Sequence, residues 1–193
     1  MTNDTILQLG AKSSLQDLLD AQIAFQKRLG NPIPDKVVAF EHVQKALEHN
    51  TYQNIEFQEY MEADGYEKQE ELIDYLLFML NKYIYLGITT CKDSLCNVLW
   101  RTPITVSSAA CSCYASIEQY DFITLLRQHC VFKPWKANTA VNCADFDYVL
   151  ESFEQALAQF RHLAHATYHD YYDMLFWLNK KLAVNVHRQN TGY

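Results

Sequence analysis

The chain has 193 residues, enough for one domain with a sizeable core, and only 5 Gly and 4 Pro among long stretches rich in Leu, Ala, Gln and Glu. That composition predicts an all-α fold, a helical bundle. A net charge of −7 and a pI near 5.4 argue against a general nucleic-acid-binding surface or an anionic-membrane surface, and leave room for a local basic pocket.

The sequence opens without a basic, then apolar, then small-residue layout, so no signal peptide is expected. Its longest apolar stretch is interrupted by Asp74, Asn81 and Lys82, which argues against a membrane span. The six cysteines, Cys91, Cys96, Cys111, Cys113, Cys130 and Cys143, form no C-x-x-C pair and read as reduced thiols in a cytoplasmic protein.

In chain order, residues 1–12 read as a frayed tail. Ser14 with Asp17 is a capping start for a first helix running to about Leu29, ended by Gly30, Pro32 and Pro34. Its apolar seam is Leu15, Leu18, Phe25 and Leu29, with Gln22 in the seam as either a satisfied core amide or a reader of an amide-bearing ligand. A second helix opens after Asp35, carries Val37, Val38, Phe40 and Leu47 inward, and places Glu41, Gln44 and Glu48 on one face. Residues Asn50–Asn54 are expected to weaken it, leaving a short separate piece from Glu56 to Ala63, broken at Asp64-Gly65.

The third helix begins near Glu67 and is closed by Gly87. It sets Glu71 and Asp74 on one face, with Phe78 one turn on, inside a run of Leu72, Ile73, Leu76, Leu77, Met79, Leu80 and Ile84 that predicts burial on most sides. A buried carboxylate pair costs several kcal/mol per charge unless compensated, and a divalent cation such as Mg²⁺ or Mn²⁺ is a fitting compensator. The alternative is an acidic edge stabilised by the helix dipole. Residues 88–144 change character and read as a variable insertion within a single domain, with one or two helices and a strand near Ile104–Val106.

Two further helices follow. One carries Phe146, Leu150, Phe153, Leu157, Phe160 and Leu163, and the last runs from about Asp170 to Val186. His162, His165 and His169 form a loose stripe without acidic or thiol partners, which favours packing or solvation over metal binding. On the last helix Lys181, Asn185 and Arg188 share a face, a pattern that suits a polyphosphate as well as an ordinary basic helix end.

Three segments in order, Leu15–Leu29 with its Gln22, Glu71-x-x-Asp74-x-x-x-Phe78, and Lys181-x-x-x-Asn185-x-x-Arg188-Gln189-x-x-Gly192-Tyr193, resemble the dimeric all-α dUTP pyrophosphatases. These belong to the wider all-α nucleoside triphosphate pyrophosphohydrolases that include MazG, and phage members carry an insertion between the third and fourth core helices. The likeness covers 14–87 and 146–193. It implies Mg²⁺-dependent hydrolysis of dUTP to dUMP and pyrophosphate in a homodimer, with no nucleic-acid or membrane partner. By the same resemblance Gln22 and Asn185 would hold the uracil and deoxyribose, Phe78 would pack on the sugar and disfavour a 2′-hydroxyl, Lys181 and Arg188 would bind phosphates, and Tyr193 would close the pocket.

Family members pair two Glu of the second helix with the Glu and Asp of the third. Matching Asn50–Asn54 to the family places Glu41 and Gln44 beside Glu71 and Asp74 as metal ligands, with Glu41, Glu71 and Asp74 also catalytic. Gln44 departs from the pattern, since an amide brings no charge, and Glu48, one turn on, is one candidate to compensate. A rival pairing stays open: Glu59 and Glu56 lie six and nine residues before Gly65, and Glu71 and Asp74 six and nine after it, so a hairpin there would gather all four. Two other functions follow from the same likeness: a weakly active or inactive relative that captures a repressor protein through 88–144, and a pyrophosphatase for another nucleoside triphosphate.

Overall fold

The computed structural model describes residues 8–35, 38–101, 122–126 and 146–191. Helices dominate them, no strand is present among them, and the all-α expectation holds. The predicted strand near Ile104–Val106 lies outside the described residues, as do Val37 and Tyr193.

Ser14 and Asp17 cap the first helix, α1 (Leu15–Arg28), as a reciprocal box: the Asp17 backbone N–H donates to Ser14 Oγ, and the Ser14 backbone N–H donates to Asp17 Oδ2 at 2.7 Å. The start of α1 is tied to the insertion by an isolated antiparallel bridge between Ser14 and Ser94, with Leu15 N–H donating to Asp93 O at 2.8 Å. The end of the expected tail is anchored too. Leu9 is buried, and its backbone exchanges two hydrogen bonds with the Asn179 side chain.

The second helix, α2 (Phe40–Glu62), is continuous. The predicted break at Asn50–Asn54 does not occur: Lys82 Nζ donates to Asn50 Oδ1 at 3.3 Å, and Asn50 and Gln53 are buried in the bundle, while Thr51 Oγ1 bonds back within the helix to Leu47 O at 3.1 Å. Packing overrides weak intrinsic propensity here. After Ala63 and Asp64, Gly65 takes φ +59, a left-handed value that glycine adopts without strain, and the chain reverses directly into α3 (Gly65–Tyr85). This third helix therefore starts at the reversal itself rather than near Glu67.

α3 is the axis of the molecule. Leu72, Ile73, Leu76, Leu77, Met79, Leu80 and Ile84 are all buried, as the apolar run predicts, and Tyr75, Tyr83 and Tyr85 are buried with them. It packs against α1, α2, α4 (Phe146–Thr167) and α5 (Tyr171–Asn190). Between α3 and α4, a π-helical turn (Asn97–Arg101) and helical residues 122–126 contribute Leu95, Leu99, Phe122 and Leu126 to the same core. The described part of the insertion is thus integrated into the bundle. No helix among the described residues is long and apolar enough to cross a membrane.

Candidate functional site

The Gly65 reversal makes α2 and α3 an antiparallel pair, so residues at equal distances from it face each other. Glu59 meets Glu71, and Glu56 meets both Glu71 and Asp74. One carboxylate oxygen from each of Glu56, Glu59 and Glu71 lies within 4.8 Å of the others. Asp74 accepts a hydrogen bond from Lys181 Nζ of α5, and the neighbouring Lys180 ties Glu70.

Burial is the first cause that drives the carboxyl groups upward in pKa. Glu56 is pushed up to about 8, by burial and then by the negative charge of Asp74, a hydrogen bond with Glu71, and further charge from Glu59 and Glu71. Glu71 is raised by burial, with its bond to Glu56 opposing. Asp74 is raised by burial as well, and its bond with Lys181 pulls against that. A proton held between Glu56 and Glu71 is the way this cluster tolerates its own charge near neutral pH without a cation.

The cluster opens into a cleft of about 850 Å³ between α1, α2, α3 and α5. Beyond the carboxylates, the walls change character along the hairpin. Tyr52, Phe78, His49 and Tyr85 make an aromatic section, with Tyr52 and Phe78 ring centroids 5.3 Å apart and His49 stacked on Tyr85 at 5.2 Å. Buried amides of Gln22, Gln26 and Asn81 line the same section. Gln26 Oε1 accepts from both Tyr85 Oη at 2.9 Å and Asn31 Nδ2 at 2.7 Å, which fixes that wall. Cations come from three helices: Arg28, Lys45, Lys181 and Arg188, the last close enough to Asp74 to lower its pKa.

Seven of the residues expected from the sequence, Gln22, Glu71, Asp74, Phe78, Lys181, Asn185 and Arg188, line this cleft together. Tyr193 lies outside the described residues. Glu41 and Gln44 are not brought to it. Both are exposed, the Glu41 side chain 64 % so, with Nε2 of its neighbour His42 3.9 Å from the Glu41 carboxylate. The reason is the continuity of α2: with Glu56 seated against Glu71, Glu41 lies fifteen residues away, roughly 22 Å along one straight helix at 1.5 Å per residue. Glu56 and Glu59, the rival pair, occupy the position that the alignment gave to Glu41 and Gln44. A Glu41→Gln variant is accordingly expected to keep divalent-cation affinity within about twofold of the parent, read by titration calorimetry, as befits a surface substitution.

The sequence reading did not single out His49, Tyr52, Gln26 or Asn81, all of which line the cleft. Counting outward from Gly65 finds most of them: Tyr52 and Phe78 are each thirteen residues from it, His49 and Asn81 each sixteen. The histidine stripe divides between surface packing and solvation, with the His169 side chain 92 % exposed. His165 Nε2 lies 2.8 Å from Trp100 O with the two rings 4.1 Å apart, and His169 pairs with Asp170. Cys91 and Cys96 are free thiols, and the other four cysteines lie outside the described residues.

A carboxylate cluster, an aromatic and amide section and several cations in one cleft can hold a hard cation, a planar ring and an anionic chain. No protein-family model, no curated protein and no solved structure matches the chain.

Proposed function

We propose that this chain is a divalent-cation-dependent nucleoside triphosphate pyrophosphohydrolase whose substrate is dUTP, cleaved to dUMP and pyrophosphate. The observation that carries the reading is the meeting of Glu56, Glu59, Glu71 and Asp74 with Lys181 and Arg188 at one cleft, next to an aromatic section. The ordered resemblance of Gln22, Glu71-x-x-Asp74-x-x-x-Phe78 and Lys181-x-x-x-Asn185-x-x-Arg188 supports the choice of dUTP.

The donor set fits Mg²⁺ or Mn²⁺. It is all carboxylate oxygen, crowded within 4.8 Å, and two of its members, Glu56 and Glu71, hold protons above the usual carboxylate range, as crowded negative charge does. Glu56, Glu59 and Glu71 would hold the cation, with Asp74 beside them. When bound, it supplies Lewis-acid neutralisation of the polyphosphate and activation of a water. The chain's own groups do the rest. Arg188 and Lys181 bind phosphate oxygens, Arg by a bidentate fork and Lys as a point charge. Lys181 also holds Asp74 in place, so phosphate binding and carboxylate position are linked. A carboxylate oxygen of Glu56 or Glu71, freed of its proton when the cation is bound, would orient the attacking water and accept its proton. Phe78 lines the cleft one turn after Asp74, where it would pack on the sugar.

The homodimer belongs to the same proposal. Exposed Tyr66, Tyr172 and Phe176 offer α3 and α5 apolar surface for a second copy. Repressor capture through 88–144 is the second reading of this scaffold, and it would prevail if the carboxylates failed to turn over nucleotide. The test is a pyrophosphate-release screen over dUTP, dCTP, dTTP and UTP, with and without Mg²⁺. We expect Mg²⁺-dependent release, with dUTP preferred to UTP by about tenfold or more, a discrimination within reach of one steric contact. Absence of release from every nucleotide would reject the enzymatic reading.

A further inference from the structure

We propose that His49 and Asn81 form a base-reading pair specific for an imide edge, the C=O/N–H/C=O pattern of a uracil-type ring. The inference rests on the nucleotide reading above and assigns a specificity role to two residues outside the resemblance. Both side chains line the cleft, and both are almost fully buried, with Asn81 3 % and His49 6 % exposed. Asn81 Oδ1 and His49 Nδ1 nevertheless have no hydrogen-bond partner among the described residues. A native protein rarely leaves polar atoms buried and unsatisfied, and for these two, carried by residues that line the cleft, a ligand seated there is the partner at hand.

Their placement follows from the hairpin. His49 and Asn81 stand at equal distance from Gly65 on α2 and α3, one turn beyond the Tyr52–Phe78 pair. The His49 ring lies against Tyr85 on one side, tilted 18° from it, and 5.6 Å from Phe78. These surfaces suit a flat heterocycle, since stacked aromatic walls restrict an occupant to planar shape. Burial holds the imidazole neutral near pH 7, with a pKa pushed down to about 4, so one ring nitrogen donates and the other accepts.

In the Nδ1–H tautomer, His49 donates to a ring carbonyl while Asn81 Oδ1 accepts the adjacent ring N–H. Cytosine at the same seat would turn its N3 lone pair toward Asn81 Oδ1. That contact is repulsive, and rejection by such a contact is stronger than rejection by a missing methyl group.

The experiment measures calorimetric affinity for two non-hydrolysable α,β-imido deoxynucleoside triphosphates, one with uracil and one with 3-methyluracil, on the parent, Asn81→Leu and His49→Phe. The parent should prefer uracil by about 10- to 100-fold, the range of one buried hydrogen bond left unmade. In Asn81→Leu the preference should collapse to within about threefold with Mn²⁺ affinity retained. In His49→Phe, whose flat ring keeps the stacking, affinity for the uracil analogue should fall about tenfold. The second variant carries the test if Asn81→Leu does not fold. A parent that binds the uracil analogue but tolerates the methyl group equally well overturns the pair's role and leaves the nucleotide reading standing. So does an undiminished preference in the variants. A parent that binds neither analogue overturns both.

Discussion

Replacing Asp74 by Asn is expected to lower pyrophosphate release from dUTP by about 10³-fold or more while the protein stays folded. The substitution preserves shape and leaves an oxygen for Lys181, so the α3–α5 contact keeps its hydrogen bond. What disappears is one negative charge beside Glu56 and Glu71 and the electrostatic anchor of Lys181. Losses of two to three orders of magnitude accompany removal of single preorganised electrostatic contacts in water-poor sites. The carboxylate is also costly to bury, since burial is the largest influence on its pKa, so its removal does not deprive the fold of a net stabiliser. Steady-state kinetics with a melting curve reads both halves of the expectation. Activity near that of the parent would remove Asp74 from the site.

The second large effect concerns stability and runs the other way. Glu56→Gln should make the cation-free protein more stable than the parent at pH 8.5 and abolish its stabilisation by Mg²⁺. The Glu56 carboxyl has a folded pKa raised from 4.5 to about 8. Between those values the folded chain binds more protons than the unfolded one, so stability falls as pH rises through that window and levels off above about 8. A glutamine, neutral throughout, escapes the penalty. Because the group is only half-buried, solvent screening reduces the effect, and a gap of roughly 2–6 °C in melting temperature at pH 8.5 is expected, closing toward pH 4.5. Thermal melts in a chelating buffer from pH 4.5 to 9 measure it. Adding Mg²⁺ should stabilise the parent most at high pH, where no proton has to be displaced from Glu56. Such a variant would trade function for stability, as often happens at sites built from like charges.

Much of the fold can be read from residue order. The Ser14–Asp17 box, the apolar run that buries α3 and the Asp170 cap that opens α5 each follow from local chemistry, and the structure has all three. The continuity of α2 is not local. Asn50, Thr51 and Asn54 are weak helix formers, and the Lys82 contact from α3 and the burial of Asn50 and Gln53 hold the stretch in one piece. The same fact governs the site. Glu41 and Gln44 have helical spacing and a plausible distance in sequence from Glu71, but spacing alone does not say where a helix turns back. Gly65 does, and once the reversal is placed there the carboxylates that face Glu71 and Asp74 can only be Glu59 and Glu56.

His49 and Asn81 were hidden for another reason. An isolated histidine or asparagine in an apolar helix looks like an ordinary core polar group, and only the unsatisfied atoms at a cleft wall mark them out. Leu29 shows the opposite failure. It fits the apolar seam of α1 by period, yet it is exposed at the cleft rim, where α1 ends and the seam has no partner.

In the function proposed above, the α2–α3 hairpin holds a divalent cation through Glu56, Glu59 and Glu71 at the mouth of a nucleotide cleft. Mn²⁺ titration by calorimetry at pH 8, with the non-hydrolysable uracil analogue present, tests it on the parent, Glu59→Gln and Glu41→Gln. The account predicts equal binding by the parent and Glu41→Gln, and affinity lowered by about 30-fold or more in Glu59→Gln, in the range of a lost charged contact. Retained binding in Glu59→Gln together with its loss in Glu41→Gln would contradict the account.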